Sequence, residues 1–440
     1  MKRFLSKILG YQFSSDFTAI LWLITLVTQF MIYVDGTGRS ILGIVLAAEY
    51  ILLMLTDIYY VIAPMAVIGN SSLGTVIGGS ISFPFVAMVL LSFRLIYQYR
   101  TTQVKRGYFY AVIAMVLYFI HYAMFQLTGA KIEDTVYLTL AFYFAYASVE
   151  SDCEKKSFFY TNMAVVIFLS ALHALIYGGV VYYEATHDAG IDRLGIIGAG
   201  AGDPVFSGLL LLIGVAICLS NRSMNWGLRF GMLGTMLVSS FGMISTSTVV
   251  ALIVLVAVYH ISSRSLPKAA SVLLVAVLLV VVAFQFYIGL PEASRIPALD
   301  ALLNKTILKY EMLMSGNLSG ATTFRSELSE LYMNKFYSQS FIKKLIGGNS
   351  IPDPNIFVAN YNLVSHNTYV DIVYRFGVVG ALIFIPVMVV RYIRCFIDYK
   401  TNRQNGELFL IKTMLLLYSY SLSIYYGSFF SYWFVFLLLY

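Results

Sequence analysis

The chain has 440 residues, of which 59% are hydrophobic and only 12% charged, whereas globular chains carry about 25% charge. Its mean hydropathy is +0.79. No soluble core hides that much apolar surface, which excludes a soluble enzyme, a nucleic-acid binder and a secreted disulfide scaffold. The net charge of +7 gathers in short loops, and Cys153, Cys218 and Cys395 are too widely spaced for a disulfide framework or a zinc motif.

A spanning helix needs roughly 20 apolar residues. In chain order the candidates are 17–34, three closely spaced spans over 41–56, 59–78 and 82–99, then 108–128, 135–150, 158–182, 204–220, 230–244, 247–262, 269–290, 368–390, 407–423 and 426–440. The first of these has no small-residue cleavage site after it and reads as an uncleaved span. Three crossings in 41–99, rather than two, put Arg100, Lys105 and Arg106 on the same side as Lys2, Arg3 and Lys7. Lys155, Lys156, Arg222, Arg229, Arg264, Lys268, Arg391, Arg394, Lys400 and Arg403 then fall on that side too, the cytoplasmic one by the positive-inside rule. The expectation is an all-α polytopic membrane protein of about 12–14 spans with both termini cytoplasmic.

The same parity places two polar segments outside. One is 183–203, within a first region of 1–290; the other, Pro291 to His366, is long enough to be partly helical, and 367–440 returns to the membrane. In the long loop Leu328, Leu331, Tyr332, Phe336 and Leu345 recur near helical spacing among Glu327, Glu330, Lys335 and Lys343, which predicts an amphipathic helix lying on the outer membrane surface.

Three outer residues are candidates for chemistry. Arg193 and Arg325 offer donor forks suited to phosphate oxygens, and His366 is of the type that removes a proton from a hydroxyl. Plainer roles compete: Arg193 can pair with Asp188 or Asp192, Arg325 with Glu327 or Glu330, and His366 can cap the next helix. Glu49, Asp57, Arg94, His121, His173 and His260 lie in or near apolar segments, where charge is costly and normally paired or functional. No acidic cluster crosses neighbouring spans, which argues against an ion-coupled path. The abundant tyrosine and phenylalanine fit packing and interfacial belts.

The run His366-Asn-Thr-Tyr-Val-Asp-Ile-Val-Tyr-Arg-Phe-Gly-Val-Val-Gly380 resembles the signature of the O-antigen polymerase and O-antigen ligase superfamily of bacterial envelope proteins. That signature is a His with a small amide or hydroxyl neighbour, a variable stretch, and Gly-x-x-Gly opening a span. Asp192-Arg-Leu-Gly with Asp203-Pro-Val-Phe-Ser-Gly, and Thr322-Thr-Phe-Arg-Ser-Glu with Lys344-Leu-Ile-Gly-Gly-Asn349, are similar to two further segments of the family in the same order. The likeness covers roughly 190–390. Many relatives carry Ser-Arg in a span before the long loop, where this chain reads Ile244-Ser-Thr-Ser-Thr-Val, and the closing turn ends in Asn349 rather than Gly.

The resemblance implies a glycosyltransferase of the bacterial plasma (inner) membrane, without metal or cofactor, polymerising oligosaccharides held on a polyprenyl pyrophosphate into O-antigen or capsule at the outer face. Arg193, Arg325 and Asn367 would bind the substrate and His366 would be the general base. Gly377 and Gly380 would be structural, allowing close helix approach. Implied partners are the lipid-linked oligosaccharides, membrane lipids, a chain-length regulator and a flippase; nucleic acid is not one. A ligase moving finished glycan to a lipid or protein acceptor shares the same donor and base. A flippase or transporter is the reading of another class, and the absence of an evident repeat of hydropathy argues against it.

Overall fold

The structure, a computed structural model, describes residues 1–35, 41–57, 59–68, 153–178, 180–182, 193–195, 204–263, 287, 291, 297–317, 325–349, 351, 353–356, 364–402, 405–422, 433 and 436–437. The spans expected at 82–99, 108–128 and 135–150, most of 269–290 and 426–440, and the residues Arg94 and His121, lie outside the described residues.

The described chain is helical, apart from one short ribbon. The helices are α1 (Lys2–Leu9), α2 (Asp16–Asp35), α3 (Ile41–Thr56), α4 (Tyr59–Ile68), α5 (Cys153–Tyr177), α6 (Pro204–Ser220), α7 (Trp226–Gly242), α8 (Thr246–Ser263), α9 (Pro297–Met314), α10 (Arg325–Tyr337), α11 (Phe341–Ile346), α12 (Thr368–Asn402) and α13 (Gly406–Ser419). Between α5 and α6, β1 (Val180–Tyr182) pairs antiparallel with β2 (Arg193–Gly195), Tyr182 facing Arg193. Two segments, Lys156–Tyr177 and Thr368–Thr401, are long and apolar enough to cross a membrane, and α2, α3, α6 and α8 supply shorter apolar helices.

Side-chain oxygens set several helix starts: Ser15 accepts from Thr18 N–H, Asn225 from Gly227 N–H, and Asp57 from Tyr59 N–H. Inside the apolar helices, hydroxyls are satisfied by the preceding turn, as in Thr25 to Leu21 and Ser240 to Met236. Helix α6 is buried on every side from Ser207 to Cys218, as expected of a helix apolar all round, and packs against α5, α7, α8 and α13. A Cβ at Gly208 would overlap the Thr248 side chain, so glycine sets the α6–α8 approach. Trp22 donates to Asn162, and Asn162 donates to the Tyr60 carbonyl, tying α2, α4 and α5. Glu49 accepts from Thr28 and Gln29 accepts from Tyr50 across the α2–α3 seam. His173 packs against Phe30 and Tyr177.

Among the described residues, the helix directions gather the cations of the short connections at one end. Ser157 meets Ser223, Lys156 reaches Asn405 at 2.7 Å, and Lys400 reaches the Ile261 carbonyl at 3.0 Å. That end therefore holds the starts of α5, α7 and α13 and the finishes of α6, α8 and α12, with Arg222, Arg229 and Arg394; α1 joins it where the Ile8 carbonyl accepts from Asn225. At the other end Ser239 meets the Ala171 carbonyl and Tyr418 donates to Thr248. The ribbon, following α5 and resting on α6 and α7, belongs to this second end.

The helix expected over 328–345 is two helices, α10 and α11. Its apolar stripe does not face outward. Leu328, Tyr332 and Phe336, four residues apart, are buried against Tyr374 in a small core of their own with Ile351 and Ile356. Leu331 and Leu345, on the other stripe, are exposed.

Candidate functional site

The small core explains how distant residues meet. Helix α10 lies along the first segment of α12, with Tyr332 edge-on to Tyr374 at 4.9 Å between ring centroids. Asp353 is the polar hub beneath them. Its carboxylate takes Lys335 at 2.6 Å, the Tyr374 hydroxyl and the Asn355 N–H, while its own N–H donates to Tyr332 at 3.0 Å. Burial alone would push this carboxyl up, but the bonds from Lys335, Tyr374 and Asn355 hold it below the usual carboxylate range. With a depressed folded-state pKa, the stabilisation is present above the unfolded value near 4 and is lost as pH falls through the folded one. Asp353→Asn should cost about 2 kcal/mol, read as a lower thermal midpoint in detergent.

A bend in α12 sets the position of the histidine. Gly377 has φ 66° and ψ −169°, a conformation essentially reserved for glycine. Phe376 and Phe384 would stand about 12 Å apart along a straight helix, yet their rings lie 5.2 Å apart. The segment 368–376 is thus turned sharply against the rest of α12. Thr368 donates to the Leu422 carbonyl at 2.7 Å and Tyr369 to the Leu416 carbonyl at 3.2 Å, fixing the turned segment on the end of α13.

The two signature glycines serve this bend rather than the approach of two long helices. A Cβ at Gly377 would lie 2.5 Å from Gly347 N and from the Leu345 carbonyl, and one at Gly380 would run into Phe376. The Gly347-Gly348 turn seats on the bend, with Gly348 N–H donating to the Arg375 carbonyl at 2.9 Å. Asn349 donates to the Tyr374 carbonyl at 2.7 Å and exchanges bonds with Gln339.

His366 precedes the turned segment at φ 53°, a left-handed conformation costing about 1–2 kcal/mol in a non-glycine residue. It does not cap α12. That role belongs to Asn367, whose Oδ1 accepts from Tyr369 and Val370 N–H; Ser365 in turn binds Asn367 N–H and the Asp371 carboxylate. The Asn367 oxygen is therefore committed to the cap, leaving its amide NH₂ for a ligand.

Burial, and then the charge of Arg325, push the His366 imidazole down to about 4, so it is neutral at pH 7. Its Nδ1 is sealed from solvent without a hydrogen-bond partner.

Arg325, the first residue of α10, lines a cavity of about 530 Å³. Asn367, the α8 residues Thr246 and Ser247, and Tyr420 at the end of α13 also border it; His366, the residue before Asn367, is not among the lining residues. Lys309 of α9 lines it too. Sequence reading missed Lys309; its only signal was a lone cation in the apolar run Thr306-Ile-Leu-Lys-Tyr310. Of the three expected residues, Arg325 and His366 are brought together. Arg193 lies on β2 at the same end of the bundle, and its side chain lies outside the described residues. The cavity thus presents two cations and several hydroxyls, with a neutral imidazole within electrostatic reach of one of the cations, an arrangement suited to an anion. No protein-family model matches the chain, and no curated protein matches it.

Proposed function

We propose that the chain is a polytopic glycosyltransferase of the bacterial plasma membrane, extending a surface polysaccharide from polyprenyl-pyrophosphate-linked oligosaccharides at the extracytoplasmic face. The observation that carries this reading is that Arg325, which lines the cavity, lies close enough to His366 for its charge to act on the imidazole, at the end of the bundle opposite the cations of the short helix connections. By the positive-inside rule the basic end is cytoplasmic, so the cavity faces outward. Exposed apolar stripes, such as Leu382, Val389, Ile393 and Phe396 on α12, supply the lipid-facing surface.

In the reaction a sugar hydroxyl of the acceptor loses its proton to His366 Nε2 and attacks the anomeric carbon of the donor. The bond from that carbon to the pyrophosphate oxygen breaks, and its electron pair leaves with the polyprenyl pyrophosphate. The anomeric centre inverts. Arg325 holds the pyrophosphate and stabilises the charge that develops on it. The same contact acts on the base: a bound anion offsets the Arg325 charge that depresses His366, so the imidazole becomes more basic when donor is present.

The test is reconstitution of the purified chain in proteoliposomes with a lipid-linked repeat unit. A ladder of products is expected for the native protein. Arg325→Ala should lose at least about 100-fold in kcat/KM and Arg325→Lys less, because a point charge replaces a fork. A single transfer to a different acceptor, with no ladder, would favour ligation. No transfer of any kind would remove the reading.

A further inference from the structure

We propose that Lys309 is the second cation of the pyrophosphate site, brought by α9 to the cavity that Arg325 lines; this rests on the glycosyltransferase reading above. A glycosyl pyrophosphate lipid carries two ionised oxygens, and a third negative charge appears on the leaving group as the glycosidic bond breaks. One guanidinium balances one of these. Lys309 and Arg325 line the same cavity from different helices, so an anion bound there would meet one cation from each.

The remaining wall fits the same ligand. Helix α8 begins at this cavity with Thr246, so the positive end of its dipole lies at the wall, and Arg325 and Ser326 of α10 border it as well. The Thr246 hydroxyl is buried without a hydrogen-bond partner. The first turn of α8 contributes hydroxyls and no charge, so among the described lining residues the second cation comes from α9.

The setting of Lys309 matches a lipid-borne anion. Its neighbours Ile307, Leu308 and Tyr310 are exposed, and Leu313, one turn on, lines the cavity. Lysine places its stem along such apolar surface and its ammonium at headgroup depth. The polyprenyl chain would leave the pyrophosphate on this apolar side.

The experiment measures binding of farnesyl pyrophosphate to the full chain in nanodiscs at low salt, for the native protein, Lys309→Gln, Lys309→Arg, Arg325→Gln and Lys343→Gln. Lys343 is exposed on α11 and outside the cavity lining, and serves as the control for surface charge. Lys309→Gln should weaken binding about tenfold or more and flatten its salt dependence, with Lys309→Arg within about threefold of native and Lys343→Gln unchanged. Retention of binding by Lys309→Arg separates lost charge from lost folding. Native affinity in Lys309→Gln alongside loss in Arg325→Gln would overturn the role of Lys309 and leave the functional reading standing. Equal weakening in Lys309→Gln and Lys343→Gln would also overturn it. A native chain that does not bind farnesyl pyrophosphate would overturn both.

Discussion

Replacing His366 by Asn is expected to lower turnover by about 10²–10⁴-fold, the range a general base contributes, while the protein still inserts and melts as the native chain does. Asn tolerates the left-handed backbone that His366 adopts, so the fold loses little; a glycine there should raise the melting temperature slightly while activity stays lost. The pH dependence gives a second signature. With the free imidazole held near 4, kcat/KM should stay level from about pH 8 to 5 and fall below that, rather than turning down near 6.5. The limb for kcat should lie at higher pH, since bound pyrophosphate opposes the Arg325 charge. Stability runs with the opposite sign to that of a paired histidine. The folded pKa is below the unfolded one, so protons favour the unfolded chain, and stability falls from about pH 6.5 and levels off below about 4. A kcat/KM limb at the ordinary histidine value would show that His366 is not the group that takes the proton.

Gly377→Ala is the other large effect. The new methyl group meets the backbone of residues 345–347, which has no rotamer by which to yield, and the φ, ψ pair is closed to L-residues. About 3 kcal/mol or more of destabilisation is expected, together with loss of activity because the bend sets His366. Gly380→Ala should also destabilise, since the Phe376 Cβ that it meets is fixed by the backbone and no rotamer moves it, but it lacks the closed φ, ψ pair of Gly377. Thermal unfolding in detergent, measured beside glycosyl transfer, orders the three proteins. A Gly377→Ala chain that melts and turns over as the native one would mean that the bend is not what sets the histidine.

Much of the helix layout was legible because apolar runs and flanking cations carry it locally. Among the described residues, Lys156, Arg222, Arg229, Arg394 and Lys400 collect at one end. The pairing of Arg325 with His366 was legible only through the signature around His366. Three features were not. The 328–345 stretch offers two apolar stripes, and periodicity cannot say which one Tyr374 will cover. The glycine pair reads equally as a helix contact or as a bend, because spacing is silent about φ. Asp353 and Lys309 are single charges whose partners or cavity come from remote segments, so no spacing announces them.

The packing of α10 on the turned part of α12 has a mechanical result. The guanidinium and the imidazole are mounted on one block with its own interior, cross-braced by a carboxylate and seated on the main bundle at a pair of glycines. Thr368 and Tyr369 anchor that block to the end of α13, and Ile372 and Phe376 run into the main core, so the spacing of guanidinium and imidazole is set by the scaffold and not by loop conformation.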